Sequence, residues 1–327
     1  MTEQGAVLVT GASGWLGAAV ARALVSAGRD VRTLQRRPSD VEGAVDVLGS
    51  VTEQAAVDEA VRGVSDVVHL AAKVSFAGAE SEFTEVNVRG TQRLVQAAKR
   101  AGVRRFVFVS SPSVAHTGEA IMGEDATPAQ PQRARGPYAR TKAAAEIEAL
   151  AADAPGFAVV AVRPHVVWGP GDPQLVRRIQ ERSAQGRLPI VGSGAALVDS
   201  TYVDDAVDGM LAALAAAERV HGQAYVLTSG EPRPIGELIA GFCAAAGVPA
   251  PARRVPAGAA VAAGAVVEAV WRVRPGDEPP MTRFLAEQLS TAHWFDQRRT
   301  RRDLGWSPAV GVAEGLRRLA AHHAASR

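Results

Sequence analysis

Tyr138-Ala139-Arg140-Thr141-Lys142 sets a phenol four residues before an ammonium. On a helix those two positions share a face, so the lysine charge can draw the tyrosine pKa down towards a range useful for proton transfer. The pairing stands out because lysine occurs only at Lys73, Lys99 and Lys142, and tyrosine only at Tyr138, Tyr202 and Tyr225. Upstream, Ser110-Ser111 closes an apolar run. A serine at the carboxyl end of a strand reaches the mouth of an α/β sheet, where its hydroxyl can hydrogen-bond a substrate carbonyl. Ser111 takes that place, with Ser113 as the competing candidate.

A third constellation is Thr10-Gly11-Ala12-Ser13-Gly14-Trp15-Leu16-Gly17. It joins the apolar run 6–9 to a helical pattern, Leu16, Val20 and Leu24, that stops at Gly28. Glycines there let the backbone turn sharply and approach a pyrophosphate, while the helix N-terminus supplies N–H donors and a positive dipole. With 32 glycines in the chain, spacing alone would also describe a tight turn. The strand–turn–helix context favours a dinucleotide site made by Gly11, Ser13, Gly14, Trp15, Leu16 and Gly17. At the end of the second strand, a carboxylate would take the ribose hydroxyls of NAD. The sequence there is Leu34-Gln35-Arg36-Arg37, and either Arg36 or Arg37 could pair with a 2′-phosphate, which predicts NADPH (NADP+). Arginine doublets recur in this chain, so the missing carboxylate is the stronger signal.

These residues need a scaffold, and the apolar pattern provides one. Strands are expected over 6–9, 30–35, 45–48, 66–70, 105–110 and 157–162, with helices over 53–61, 81–101 and 137–152 between them. Such alternation predicts an α/β fold with a doubly wound parallel sheet. The rhythm loosens after Pro164, so residues 1–165 read as a dinucleotide-binding domain and 166–327 as a smaller, interleaved, mostly helical substrate lobe. A strand near 224–228 is expected to return to the sheet, with loops over 275–280 and 298–308.

The 327 residues are 47% apolar, enough for a sizeable core, and 36 Lys+Arg against 34 Asp+Glu leave a net charge of +2. That balance does not point to nucleic acid. The single cysteine, Cys243, excludes an internal disulfide, and His322-His323 lack ligand-spaced partners, so no metal site is expected. The weakly polar stretch 257–273 carries Glu268 and is shorter than the roughly 20 residues of a membrane span. No transmembrane segment or secretory signal is expected, and a cytoplasmic location follows.

Together with Arg163-Pro164 and Trp168-Gly169-Pro170-Gly171-Asp172, the glycine turn, the strand-end serine and Tyr138-x-x-x-Lys142 resemble the extended short-chain dehydrogenase/reductases. The similarity runs to Leu304-Gly305-Trp306-Ser307-Pro308 and Glu314-Gly315-Leu316. It implies a Rossmann-like fold, an NAD(P)H-dependent oxidoreductase, and Ser111, Tyr138 and Lys142 as the catalytic trio. It also implies that Ser50-Val51, Leu70-Ala71-Ala72, Asn87 and Pro164-His165-Val166 line the cofactor, with Ser50 standing where the family often has an aspartate that holds adenine.

Within that family, Pro112-Ser113-Val114-Ala115-His116, 197–202, Thr282-Arg283-Phe284-Leu285 and His293-Trp294 resemble the 3β-hydroxysteroid dehydrogenase-like branch, and most nearly its 2-alkyl-3-oxoalkanoate reductases of head-to-head olefin and β-lactone biosynthesis. The resemblance implies reduction of a lipid-like 2-alkyl-3-oxoalkanoic acid, a homodimer through two long helices, and assembly with other enzymes of the pathway. A 3β-hydroxysteroid or sterol-4-carboxylate dehydrogenase is the nearest alternative. A non-catalytic dinucleotide sensor would have no need of Tyr138 and Lys142. A sugar-nucleotide dehydratase is disfavoured by Pro112-Ser113, where that group carries acidic residues. His116 is a candidate for orienting a substrate carboxylate, set against a solvated loop histidine. The helix 257–271 is a candidate wall for an alkyl cleft, set against ordinary core packing. The arginines at 298–302 are expected in a solvated turn.

Overall fold

The computed structural model describes residues 5–75, 78–273 and 282–326. Seven strands form one parallel sheet: β1 (Ala6–Thr10), β2 (Val31–Gln35), β3 (Ala44–Leu48), β4 (Val64–His69), β5 (Arg105–Val109), β6 (Ala158–Pro164) and β7 (Gln223–Leu227). Their spatial order is β7-β6-β5-β4-β1-β2-β3. This is a Rossmann-like α/β fold.

Alternation along the strands explains why both faces are covered. Val7, Val9, Val107, Val109, Val160 and Val162 point to one face, under α1 (Trp15–Ser26) and the later helix Val203–Val220. Leu8, Phe106, Phe108, Val159 and Ala161 point to the other, under α2 (Gln54–Ala60), α3 and α4 (Gly136–Ala151). Successive side chains of a strand face opposite ways, so a sheet sandwiched between helices is apolar on both faces instead of alternating apolar with polar. Helix α3 comprises Glu80–Phe83, a π turn Thr84–Arg89, and Gly90–Arg100. The expected uninterrupted helix over 81–101 therefore contains one wider turn, and that turn carries Asn87.

Strand β1 lies between β2 and β4, so the strand order reverses there. Ligands of open α/β sheets bind in the crevice outside the strand ends at such a point. β7, near the expected 224–228, pairs in parallel with β6. Beyond the main sheet, Ile121–Glu124, Leu197–Val198, Arg233–Pro234 and His293–Phe295 form a small mixed sheet that the sequence pattern did not announce. The region expected as a loop and solvated turn, 298–308, begins with a helix, Arg298–Leu304. Its Arg299 stacks 4.6 Å from the Tyr225 ring and donates to the Ala224 carbonyl, so that side chain fastens the helix to β7. The expected loop at 275–280 lies outside the described residues. No helix among the described residues is long and apolar enough to cross a membrane.

Arg163 and Glu146, each 2% exposed, join β6 to α4, with Arg163 Nε donating to Glu146 Oε2 at 2.8 Å. Replacing Glu146 by alanine leaves a guanidinium buried without its counter-charge, and a loss of about 3–5 kcal/mol is expected. Urea unfolding of Glu146→Ala measures it, and a loss below about 1 kcal/mol would contradict the assignment of this pair as the α4 lock.

Candidate active site

Gly11 has φ +79°, and a Cβ there would stand 3.0 Å from the backbone N and Cα of Ala71. A Cβ on Gly17 would come 2.3 Å from the Gly11 carbonyl oxygen, so α1 can leave the turn this closely only as glycine. Gly14 caps α1 without a side-chain hydrogen bond, and the first turn holds no acidic residue. Free helix N–H donors and an unopposed dipole fit an anionic pyrophosphate. Ser13, Trp15 and Leu16 belong to the same turn, and Trp15 Nε1 donates to the Pro170 carbonyl at 3.1 Å. Leu70 and Ala71 close the crevice from the β4 side, with Leu70 N donating to the Thr10 carbonyl at 3.3 Å.

Sequence reasoning missed what holds this turn. Ala71 N–H donates to Thr10 Oγ1 at 3.0 Å, and Thr10 Oγ1 lies 2.7 Å from His69 Nδ1. On the other side of the ring, His69 Nε2 lies 2.9 Å from Thr91 Oγ1, whose own proton goes to the Asn87 carbonyl at 2.7 Å. Thr91 must therefore accept from His69, so the ring is neutral with its proton on Nε2 and receives the Thr10 hydroxyl on Nδ1. Burial, with the Lys142 charge nearby, pushes the His69 pKa down to about 3. The Asn87 amide bonds the Lys73 backbone at both ends and donates to Thr141 Oγ1 at 3.0 Å. Asn87 thus braces α4 one residue before Lys142. A histidine inside the apolar run 66–70 was the available signal.

Ser111 follows β5 and caps a short 3₁₀ turn, Pro112–Val114. Its Oγ accepts from Ser113 Oγ at 2.9 Å and from Ser113 N at 3.3 Å, and it is hydrogen-bonded to the Tyr138 hydroxyl. The two serines that competed in the sequence are one unit: Ser113 occupies the Ser111 lone pairs, so the Ser111 proton is what meets the Tyr138 phenol oxygen. Packing around the Tyr138 phenol pushes its pKa up to about 12, opposed by the Ser111 bond. The expected lowering by Lys142 is absent, because Lys142 Nζ donates to the Val109 carbonyl at 2.6 Å and sits 4.0 Å over the Phe108 ring. Burial pushes the Lys142 pKa down to about 7.

Ser111, Ser113 and Tyr138 open on a cavity of about 190 Å³ shared with Pro164, His165 and Val166. Val166 has φ +44°, a strained conformation for a β-branched residue, held where Thr201 Oγ1 donates to the His165 carbonyl at 2.7 Å and Thr201 N to the Val166 carbonyl at 3.1 Å. The remaining walls include Val74, Ile121, Phe284 and Phe295, with Arg178 and Gln174. No described residue of helix Ala257–Val273 lines this cavity. It packs through Gly264 on the backbone of Thr282 and Arg283 and through Ala260 on Val191 and Ala286, while Val266 and Val270 stay exposed, so one face of it is core packing. His116 is buried in the cavity wall rather than solvated. A second cleft is lined by Arg36, Ser50, Thr52 and Arg89 among others, with Val51 buried beside it. Arg37 is exposed next to Arg36. Gln35 folds back onto Thr33, and no carboxylate ends β2.

Residues 7–228 match the NAD dependent epimerase/dehydratase family. The chain belongs to that family. It is 42% identical over 329 residues to a 2-alkyl-3-oxoalkanoate reductase of Stenotrophomonas maltophilia, covering 98% of this chain and 99% of that protein. It is 34% identical to a 3 beta-hydroxysteroid dehydrogenase/Delta 5-->4-isomerase of Mycobacterium tuberculosis, over 96% of this chain and 89% of that one. Among solved structures, MoeE5 in complex with UDP-glucose and NAD superposes with a TM-score of 0.76 at 27% identity, covering 98% of this chain and 99% of that one. This member of the epimerase/dehydratase family is an NAD(P)-dependent oxidoreductase of the extended short-chain dehydrogenase/reductase type.

In this family member, the neutral His69 ties the glycine turn to acid stability. An unfolded histidine binds a proton near pH 6.5 and the folded one only near pH 3, so stability falls as pH drops through that window. The loss from this group is about 1.4 kcal/mol per pH unit inside it. Urea unfolding between pH 6 and 4 is expected to show a shallower acid slope in His69→Gln than in the wild type. Equal slopes would contradict a neutral His69.

Proposed function

We propose that the protein is an NADPH-dependent reductase that converts a 2-alkyl-3-oxoalkanoic acid to the 2-alkyl-3-hydroxyalkanoic acid. The observation that carries this reading is the lining of the cavity beside Ser111 and Tyr138. Apolar walls from Val74, Ile121, Phe284 and Phe295 are joined by one basic residue, Arg178, and no carboxylate is among the described lining residues. Such a lining favours an anionic head carrying apolar chains. The similarity to the Stenotrophomonas reductase supports the same substrate class.

A nicotinamide dinucleotide held by the glycine turn supplies the hydride. Ser111, with its lone pairs taken by Ser113, turns its hydroxyl proton from the Tyr138 oxygen to the ketone oxygen. Tyr138, held protonated at neutral pH, gives its proton to the same oxygen as negative charge develops there. Lys142 and Asn87 hold the helix end that carries Tyr138. Arg36, which makes no ion pair or hydrogen bond among the described residues, is the group for a 2′-phosphate.

With purified protein, absorbance at 340 nm is expected to report NADP+ reduction with a racemic 2-alkyl-3-hydroxyalkanoic acid. Turnover of a 3β-hydroxysteroid alone would replace this substrate assignment by the steroid one. Tyr138→Phe should lose about 10²–10⁴-fold in kcat while still binding cofactor, and unchanged turnover would remove Tyr138 from the proton transfer. Arg36→Ala should raise KM for NADP+ about tenfold or more with a much smaller effect for NAD+. A wild-type preference for NAD+ would overturn the NADPH assignment.

A further inference from the structure

His116 follows the 3₁₀ turn that begins at Ser111, and its backbone N–H donates to the Ser113 carbonyl at 3.2 Å. One turn of chain therefore carries both the hydroxyl pair and this imidazole to the same cavity. His116 is 1% exposed, yet neither Nδ1 nor Nε2 has a hydrogen-bond partner among the described residues. Buried polar atoms are almost always paired, so an unpaired pair of ring nitrogens in a cavity wall marks a place where a ligand completes the bonding. The ring is held edge-to-face against Phe284, with centroids 6.1 Å apart.

The other two imidazoles of the cavity bond one another, and of their four ring nitrogens His165 Nδ1 alone has no partner among the described residues. His293 Nε2 lies 2.7 Å from the Gln288 carbonyl, so it carries the proton there, and His293 Nδ1 accepts from His165 Nε2 at 3.0 Å. Ser111 and Tyr138 face the oxygen on the reacting carbon. What remains for His116 is a second polar group of the substrate, close to the first, in a lining that holds Arg178 of helix Leu175–Ala184 and no acidic side chain among the described residues.

We infer that His116 is the specificity residue for the substrate carboxylate, donating a ring N–H to it while Ser111 and Tyr138 hold the oxygen of the neighbouring carbon. Burial, with His293 and Arg135 nearby, keeps the free imidazole neutral. A neutral donor pairs with a carboxylate without placing another permanent cation beside Arg178. The inference rests on the oxo-acid reading of the preceding subsection and adds the residue that selects the acid.

The test compares the 2-alkyl-3-hydroxyalkanoic acid with its methyl ester, each oxidised with NADP+. Wild type is expected to prefer the acid in kcat/KM, mainly through KM. In His116→Ala that acid-over-ester preference should fall about tenfold or more, and His116→Gln, which keeps an N–H donor of similar reach, should recover part of it. Thermal unfolding checks that each variant is folded, and the glutamine variant carries the test if alanine is not tolerated. Acid and ester responding alike in a folded variant, or no change in either, would overturn the role of His116. Absence of acid turnover in the wild type would instead overturn the oxo-acid reading, and this inference with it. The two failures are therefore told apart by the wild-type enzyme alone.

Discussion

One buried imidazole links the two halves of the site. His69 stands at the end of β4, beside the point where the strand order reverses, and it can bridge Thr10 and Thr91 only while neutral, accepting on one nitrogen and donating from the other. From Thr10 the bonding continues to Ala71 N, which fixes the crevice wall facing Gly11. From Thr91 it continues to Asn87 and then to Thr141 on α4. The cofactor turn and the helix carrying Tyr138 and Lys142 are thus set relative to one another by side chains, not by the sheet alone. A fully satisfied polar chain of this kind specifies a single arrangement, whereas loss of one member leaves several buried groups unpaired.

The π turn belongs to the same constraint. A wider turn over Thr84–Arg89 presents Asn87 inward, where its amide meets both ends of the Lys73 peptide unit and the Thr141 hydroxyl. π turns inside helices are rare and cluster at functional sites. Here the wider turn accompanies a bracket between the 73-region loop and α4. That loop also supplies Val74 to the cavity wall, so the brace reaches the substrate side as well.

What the sequence made legible was local. The β1–glycine–α1 unit, the alternation within each strand and Tyr138-x-x-x-Lys142 are each written in one short stretch of chain, where periodicity and spacing act directly. The π turn left no mark, because residues 81–101 keep a helical apolar period through it. Nor could the small mixed sheet be read, since its strands are two to four residues long and come from four distant segments. The stretch 257–273 was legible as a helix but not its burial: alanine and valine on every side look like core, whereas among the described residues it is the face around Ala260 and Gly264 that packs. Lys142 lies one helical turn from Tyr138, as the spacing requires, yet its Nζ turns to the Val109 carbonyl, a contact between elements that no spacing encodes.

The electrostatics of the cavity have a consequence for an oxo acid. Polarising a 3-oxo group with Ser111 and Tyr138 favours hydride addition, but the same polarisation makes the ketone an electron sink for loss of carbon dioxide from the neighbouring carboxylate. Which path wins depends on orientation, because the carbon–carboxylate bond breaks readily only when it stands perpendicular to the carbonyl plane. In the proposed role, a donor fixed one short turn from Ser111 would hold the carboxylate at a set angle to the ketone, and a donor on a mobile surface loop would not. The 3₁₀ turn at Pro112–Val114 therefore does more than carry a serine: it makes the distance and angle between hydroxyl and imidazole a property of the backbone. Reduction then removes the electron sink, since the 3-hydroxy acid has no carbonyl left to receive the electrons of the carboxylate bond.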